Sequence, residues 1–302
     1  MKKKHLVSMI AMGAAASLAL VGCASNGEEP GTDTLPAEET QTITMGFLPA
    51  WTDGLSTAYL LANQLEKLGY EIAMEDVVDA GPLYTALAQG DIDMYPSAWS
   101  EVTHAAYMEE FGDSIEDLGT YYDGAALTIA VPTYLTDINS LEDLKANADL
   151  FGGQIIGIEP GAGLTAATQD SMMPAYELDN YELTTSSTAG MLASLDTAYA
   201  SEDPIVVTLW RPFWAYATWD MKDLADPLGA MGDTESLHFL GKLTFSEEFP
   251  EAADFISQVK LTDAQYGALE GLVTSDEYEG NPAGAVDEWL AEFGSQIDWL
   301  IE

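Results

Sequence analysis

One cysteine in 302 residues leaves no partner for a disulfide and no basis for a Cys-rich metal site. Basic residues are scarce too: nine Lys and Arg stand against 51 Asp and Glu, a formal net charge of -42. That balance excludes nucleic acid as a partner, because neutralising phosphates needs clustered Lys and Arg. Beyond residue 22 no apolar run approaches the roughly 20 residues a membrane span requires. Only three histidines occur, and the two after residue 22, His104 and His238, lie near no serine or cysteine motif of nucleophilic catalysis. What is plentiful is globular material. Hydrophobic residues make up 47% of the chain, with 26 Gly and 13 Pro, which excludes disorder and fibrous repeats and suits one large or two medium domains.

The first 22 residues carry Lys2, Lys3 and Lys4, then an apolar run from Leu6 to Val21, and no acid. These are the n-region and h-region of an export signal. The run ends in Leu20-Val21-Gly22-Cys23, which resembles a bacterial lipobox, so Cys23 is expected to become the lipid-bearing first residue of the mature chain. Removing 1–22 takes three basic residues and no acid, so the mature protein is more negative still. Residues 23–41, rich in Gly, Pro, Thr and Glu, read as a solvated tether.

From Thr42 the chain alternates short apolar strands with amphipathic helices. Strands are expected at 42–48, 71–78, 92–95 and 126–131, then at 154–158, 181–185 and 205–210. Helices are expected at 55–68, 82–89, 164–176 and 188–200. The stretch from about Glu247 reads as helical, with N-caps at Ser246 and Thr262 and a break at Asn281-Pro282. Strand–helix alternation implies parallel sheets covered by helices. Two successive sets, joined near Val131 and Trp210, suggest two α/β lobes with a ligand cleft at the carboxyl ends of their strands. Aromatic residues collect there: Trp51, Trp99, Tyr181 and Trp210. In so acidic a protein they suggest a cage for a cation. A quaternary ammonium donates no hydrogen bond and is held by ring faces, each contributing on the order of 0.5–2 kcal/mol once water is excluded. Packing is the other use of interior aromatics.

Motifs spread over the mature chain make the resemblance specific. They are Gly69-Tyr70, Gly90-Asp91-Ile92-Asp93, Ala98-Trp99 with Thr103-His104, and Val131-Pro132-Thr133-Tyr134. They continue with Ile156 to Gly163 (Ile-Gly-Ile-Glu-Pro-Gly-Ala-Gly), Ser186-Ser187 with Met191, Val207 to Pro212, and Asp226-Pro227. In order and spacing the chain resembles the glycine betaine substrate-binding lipoproteins of ABC transporters over roughly residues 42–260. The resemblance implies a two-lobed type II periplasmic-binding-protein fold: 42–131 as the first part of lobe 1, 132–209 as lobe 2, and 210–302 as the return to lobe 1. It places the aromatic prism on Trp99, Tyr181 and Trp210. It places the ligand carboxylate on backbone amides near Gly54 and Leu55, where a helix start favours an anion, with Trp51 beside them. One departure stands out. Relatives carry His three residues after the last cage tryptophan; this chain has Phe213, which cannot donate a hydrogen bond.

Other motifs have weaker claims. Gly161-Ala162-Gly163 with Ala166 is a variant dinucleotide fingerprint, better explained by a tight strand-to-helix turn. Asp91 and Asp93 lack the rest of a calcium loop. His104 suits a polar contact at a helix start. Arg211, the single arginine, is either the centre of a structural ion pair or a fork offered to the ligand carboxylate.

The expectation is therefore a receptor rather than an enzyme acting on quaternary amines or an adhesive lipoprotein. The site positions offer aromatics and backbone amides instead of an acid, base or nucleophile. No catalytic residue, cofactor or metal is expected. The implied partners are a quaternary ammonium ligand and the permease subunits of an ABC transporter. The membrane is met only through the lipid on Cys23, at the outer face of the bacterial cytoplasmic membrane, and the protein is expected to be a monomer. Glycine betaine is expected over choline, because the loop before the first helix keeps its backbone donors near Gly54 whatever the side chains are, with Arg211 as a further substitute for the donor missing at Phe213. Without a substitute, preference moves to choline or carnitine.

Overall fold

Alternate burial of Ile43, Met45 and Phe47 makes Thr42–Phe47 the first strand, β1. The computed structural model describes residues 40–301. The signal, Cys23 and nearly all of the tether lie outside the described residues. Helix Thr52–Lys67 follows and is buried almost all round, Ala58, Leu61 and Leu65 being essentially inaccessible. Of the apolar residues that recur at three and four along it, Ala62 and Leu65 are buried, and Leu55, Tyr59 and Leu68 form a half-buried flank. Glu71–Asp76 (β2) runs parallel to β1. Helix Ala80–Gln89 is capped at its start by the Asp79 carboxylate on the Ala80 amide, and Gly90 closes it in the left-handed region. Met94–Ala98 (β3) then pairs in parallel with β1.

The next strand organises the molecule. Ile115–Pro132 (β4) has 18 residues, of which the sequence pattern marks only Ala126–Val131. Gln154–Ile156 (β5), Glu182–Thr184 (β6) and Val207–Arg211 (β7) form a second parallel set, with helix Thr188–Ser201 between β6 and β7. Met221–Asp223 (β8) pairs with the end of β4. Glu235–Lys242 (β9) is inserted between β3 and β4. The sheet order is β2-β1-β3-β9-β4-β7-β5-β6, with β8 also on β4. β4 runs antiparallel to β9 through Ile115–Ala125 and antiparallel to β7 through Ala126–Ala130, so one strand serves both halves of a two-lobed type II fold. The boundaries expected at 131/132 and 209/210 fall inside β4 and β7.

The sequence pattern did not mark β9. It carries Glu235 and His238 through a buried strand, which is tolerable because both are fully partnered. After it come helices Phe245–Glu248, Pro250–Gln258, Asp263–Val273 and Pro282–Phe293. Thr262 caps the third of these in a capping box with Gln265, and Asn281 caps the fourth with Pro282 in its first turn. Ser246, expected as a cap, lies inside Phe245–Glu248, and the next helix starts at Pro250 instead. Among the described residues no helix is long and apolar enough to cross a membrane.

Candidate functional site

The turns that leave β1 and β3 at their carboxyl ends meet, across the cleft, β7 and the turn that leaves its neighbour β5. Trp51 stands immediately before helix Thr52–Lys67, Trp99 immediately after β3, and Trp210 within β7. All three line one pocket. Asp53, Thr103 and His104 join them from the first half. Leu127 of β4 and the segment Ile158, Ala162, Gly163 and Leu164 complete the wall. Three indoles with an aliphatic surround make a site for an apolar, cationic head group.

Buried acids hold two of the indoles in place. Asp53 Oδ2 accepts Trp99 Nε1–H at 3.0 Å and Ser97 Oγ–H at 2.6 Å. Glu159 Oε2 accepts Trp51 Nε1–H at 3.1 Å. Asp53 is 2% exposed, and burial holds its carboxyl above the ordinary aspartate value despite those donors. A cation arriving in the pocket would favour its charged form.

His104 stacks on Trp51, with ring centroids 5.9 Å apart. Its Nδ1 lies 3.4 Å from the Trp99 backbone N–H and 3.1 Å from Tyr84 Oη. An amide only donates, so Nδ1 accepts and the ring proton sits on Nε2. Burial lowers its pKa to about 3, so the ring is neutral at physiological pH. The loop carrying Thr103 is clamped by Glu235, which accepts the backbone N–H groups of Glu101, Val102 and Thr103 at 3.2, 2.9 and 3.0 Å, and the Thr103 hydroxyl as well.

Of the residues expected from sequence, Trp51, Trp99 and Trp210 come together. Phe213 does not line the pocket; it stacks behind Trp210 with centroids 3.9 Å apart and sets that ring's position. Tyr181 lies elsewhere. Its ring is buried in the second half and its hydroxyl donates to the Leu144 carbonyl at 2.9 Å, so Trp51 fills the place expected of it. Arg211 also points away from the pocket lining, paired with Asp223 at 2.6 Å and lying 3.6 Å over the Tyr216 ring, which is the structural ion pair. Gly54 is buried within the first helix, and its amide faces the Asp53 carboxylate. The Leu55 amide is spent on the Trp51 carbonyl at 3.1 Å. The helix start expected to take a ligand carboxylate therefore already holds one belonging to the protein. Asp53 itself was missed: two residues after Trp51, it reads as an ordinary first-turn acid complementing the helix dipole.

A family profile described as the substrate binding domain of ABC-type glycine betaine transport systems matches residues 41–292. The chain is 41% identical over 133 residues to the glycine betaine/carnitine transport binding protein GbuC of Listeria monocytogenes. That match covers 42% of this chain and 44% of the relative, less than half of its length. The glycine/betaine/L-proline-binding protein ProX of Borrelia burgdorferi superposes with a TM-score of 0.79 at 30% identity, covering 87% of this chain and 97% of that one. An ABC-transporter choline binding protein in complex with choline gives 0.75 at 25% identity, over 85% and 90% of the two chains.

Proposed function

The chain belongs to the family of substrate-binding domains of ABC-type glycine betaine transport systems, and we propose that it is an extracytoplasmic receptor that holds a quaternary ammonium solute between Trp51, Trp99 and Trp210. Three ring faces supply a few kcal/mol to a trimethylammonium head. We assign delivery to an ABC permease, retention at the membrane through a lipid on Cys23, and action as a monomer. The pocket lining offers aromatic faces and an acid tied to Ser97 and Trp99, which supports the holding of a cation.

One observation carries the choice of ligand: Asp53 lines the cage. A carboxylate beside the ammonium site attracts a net cation and repels the carboxylate of a zwitterion. The Leu55 amide is occupied, the Gly54 amide faces the Asp53 carboxylate, and neither Phe213 nor Arg211 reaches the pocket to replace them. This favours a choline-type ligand over glycine betaine, the reverse of the order expected from sequence. Calorimetric titration of choline, glycine betaine and carnitine into one preparation tests it. Choline binding tightest supports the assignment, glycine betaine binding tighter than choline overturns the role of Asp53, and no binding by any of the three overturns the cage.

A further inference from the structure

Glu159 does not line the pocket, yet its carboxylate spans the cleft. It lies in the loop after β5 and is 8% exposed. Two of its hydrogen bonds stay within its own half: Oε1 accepts the Thr188 amide at 2.7 Å, and Oε2 accepts the Thr188 hydroxyl at 2.9 Å. Thr188 is the first residue of the 14-residue helix Thr188–Ser201, so the acid is fixed where aligned amides favour a negative charge. The third bond leaves that half, because Oε2 also accepts the indole N–H of Trp51 at 3.1 Å. No lysine, arginine or histidine pairs with Glu159 among the described residues. Its charge is met by N–H and O–H donors, and one of them belongs to the cage.

The surrounding surfaces show that the halves meet closely at this point. Tyr107 donates its hydroxyl to the Gly161 carbonyl at 2.8 Å, two residues from Glu159. A Cβ at Gly163 would lie 2.0 Å from the Thr103 carbonyl, and one at Gly161 would lie 2.4 Å from Asp79 Oδ1, so only glycine allows this approach. Separation of the halves breaks the Trp51–Glu159 bond and leaves both partners to water. A ligand packed on the Trp51 ring holds the indole in the one orientation that reaches Glu159.

Resting on the reading of the pocket as a quaternary ammonium site, we propose that Glu159 is a positioning residue that latches the two halves through Trp51, so that filling the cage and closing the cleft reinforce each other. The latch is expected to slow ligand escape rather than speed capture, because it forms only after the halves have met. Glu159→Gln, Trp51→Phe and the double variant separate this from a structural role. Trp51→Phe keeps an aromatic ring in the cage and removes the donor together with part of the ring face, which is why the double variant is needed, and it serves where Glu159→Gln disturbs the helix start.

With choline as the probe in stopped-flow fluorescence, each single variant is expected to raise the dissociation rate about tenfold, the scale of one lost bond to a charged acceptor. Association should stay within about twofold, and the double variant should be no worse than the singles. Additive effects in the double variant, or a loss confined to association, overturn the latch. If the wild-type protein binds none of choline, glycine betaine and carnitine, the pocket reading is lost and the latch is decided without ligand. Faster amide exchange at 159–163 and 101–104 in both single variants then supports it, and unchanged exchange overturns it.

Discussion

Replacing Glu270 by Gln should stabilise the protein at alkaline pH and leave it almost unchanged near pH 4.5. Glu270, on helix Asp263–Val273, is 2% exposed and accepts the Thr52 hydroxyl at 2.6 Å. Burial, reinforced by the nearby Asp53 charge and opposed by the Thr52 donor, pushes its carboxyl up to about 8 from an ordinary 4.5. Below 4.5 the group is protonated in both states and does not alter stability. Between 4.5 and 8 the unfolded chain ionises while the folded one holds its proton, so stability falls as pH rises, and the penalty is complete above 8. At 1.36 kcal/mol per pKa unit the ceiling is about 5 kcal/mol. Local relaxation and water entry absorb part of such a cost, leaving roughly 2–3 kcal/mol. Gln keeps an acceptor for Thr52 and cannot ionise. For a domain of this size the gain corresponds to roughly 4–10 °C in Tm. Thermal melts of both proteins at pH 4.5 and pH 8.5 decide it. An equal shift at both pH values, or a lower Tm for the variant at pH 8.5, refutes the reasoning.

Three further outcomes are expected. Trp210→Ala should weaken choline binding about tenfold or more by calorimetry, since one ring face contributes roughly 1–2 kcal/mol; unchanged affinity would remove Trp210 from the cage. Asp53→Asn should weaken choline by a similar factor and leave glycine betaine unchanged or improved, and choline affinity of the parent protein should fall on acidification through the raised Asp53 pKa; equal losses for both ligands would count against a charge-selecting role. His238 donates towards Asp117 and Glu101 at 3.0 and 3.1 Å, and the Asp117 bond first, then Glu101, raises its pKa above 6.5. Its contribution to stability is present below pH 6.5 and is lost as pH rises through the folded value, so the Tm deficit of His238→Asn should shrink from pH 6 to pH 9; a constant deficit would assign it to packing.

The parts of the fold that were legible in the sequence are those whose periodicity is local. β1, β2 and helix Thr188–Ser201 lie within a residue or two of their expected spans, because their apolar spacing and their Gly and Ser punctuation act at short range. β9 and the first half of β4 were not, because their burial comes from each other across more than a hundred residues and their polar positions look solvated until Glu235 and His238 find their partners. The site divides the same way. Trp51, Trp99 and Trp210 were readable because large aromatics at strand ends are conspicuous. Tyr181 was misplaced by one aromatic's resemblance to another in sequence position, whereas space puts its hydroxyl on Leu144. Asp53 and Glu159 were invisible as site residues, since nothing in a string of acids distinguishes the two that orient indoles.

A strand that is the middle of two half-sheets also dictates how the chain must assemble. β4 needs β9 along Ile115–Ala125 and β7 along Ala126–Ala130, and both neighbours come later in the sequence. These pairings are distant along the chain, which places the protein among slow, high-contact-order folders. A chain ending before Glu235 would leave β3 and the first half of β4 as open edges with free ladders of N–H and C=O groups, a template for aggregation. The first half therefore cannot be completed ahead of the second, and the C-terminal third closes the sheet that the first third begins.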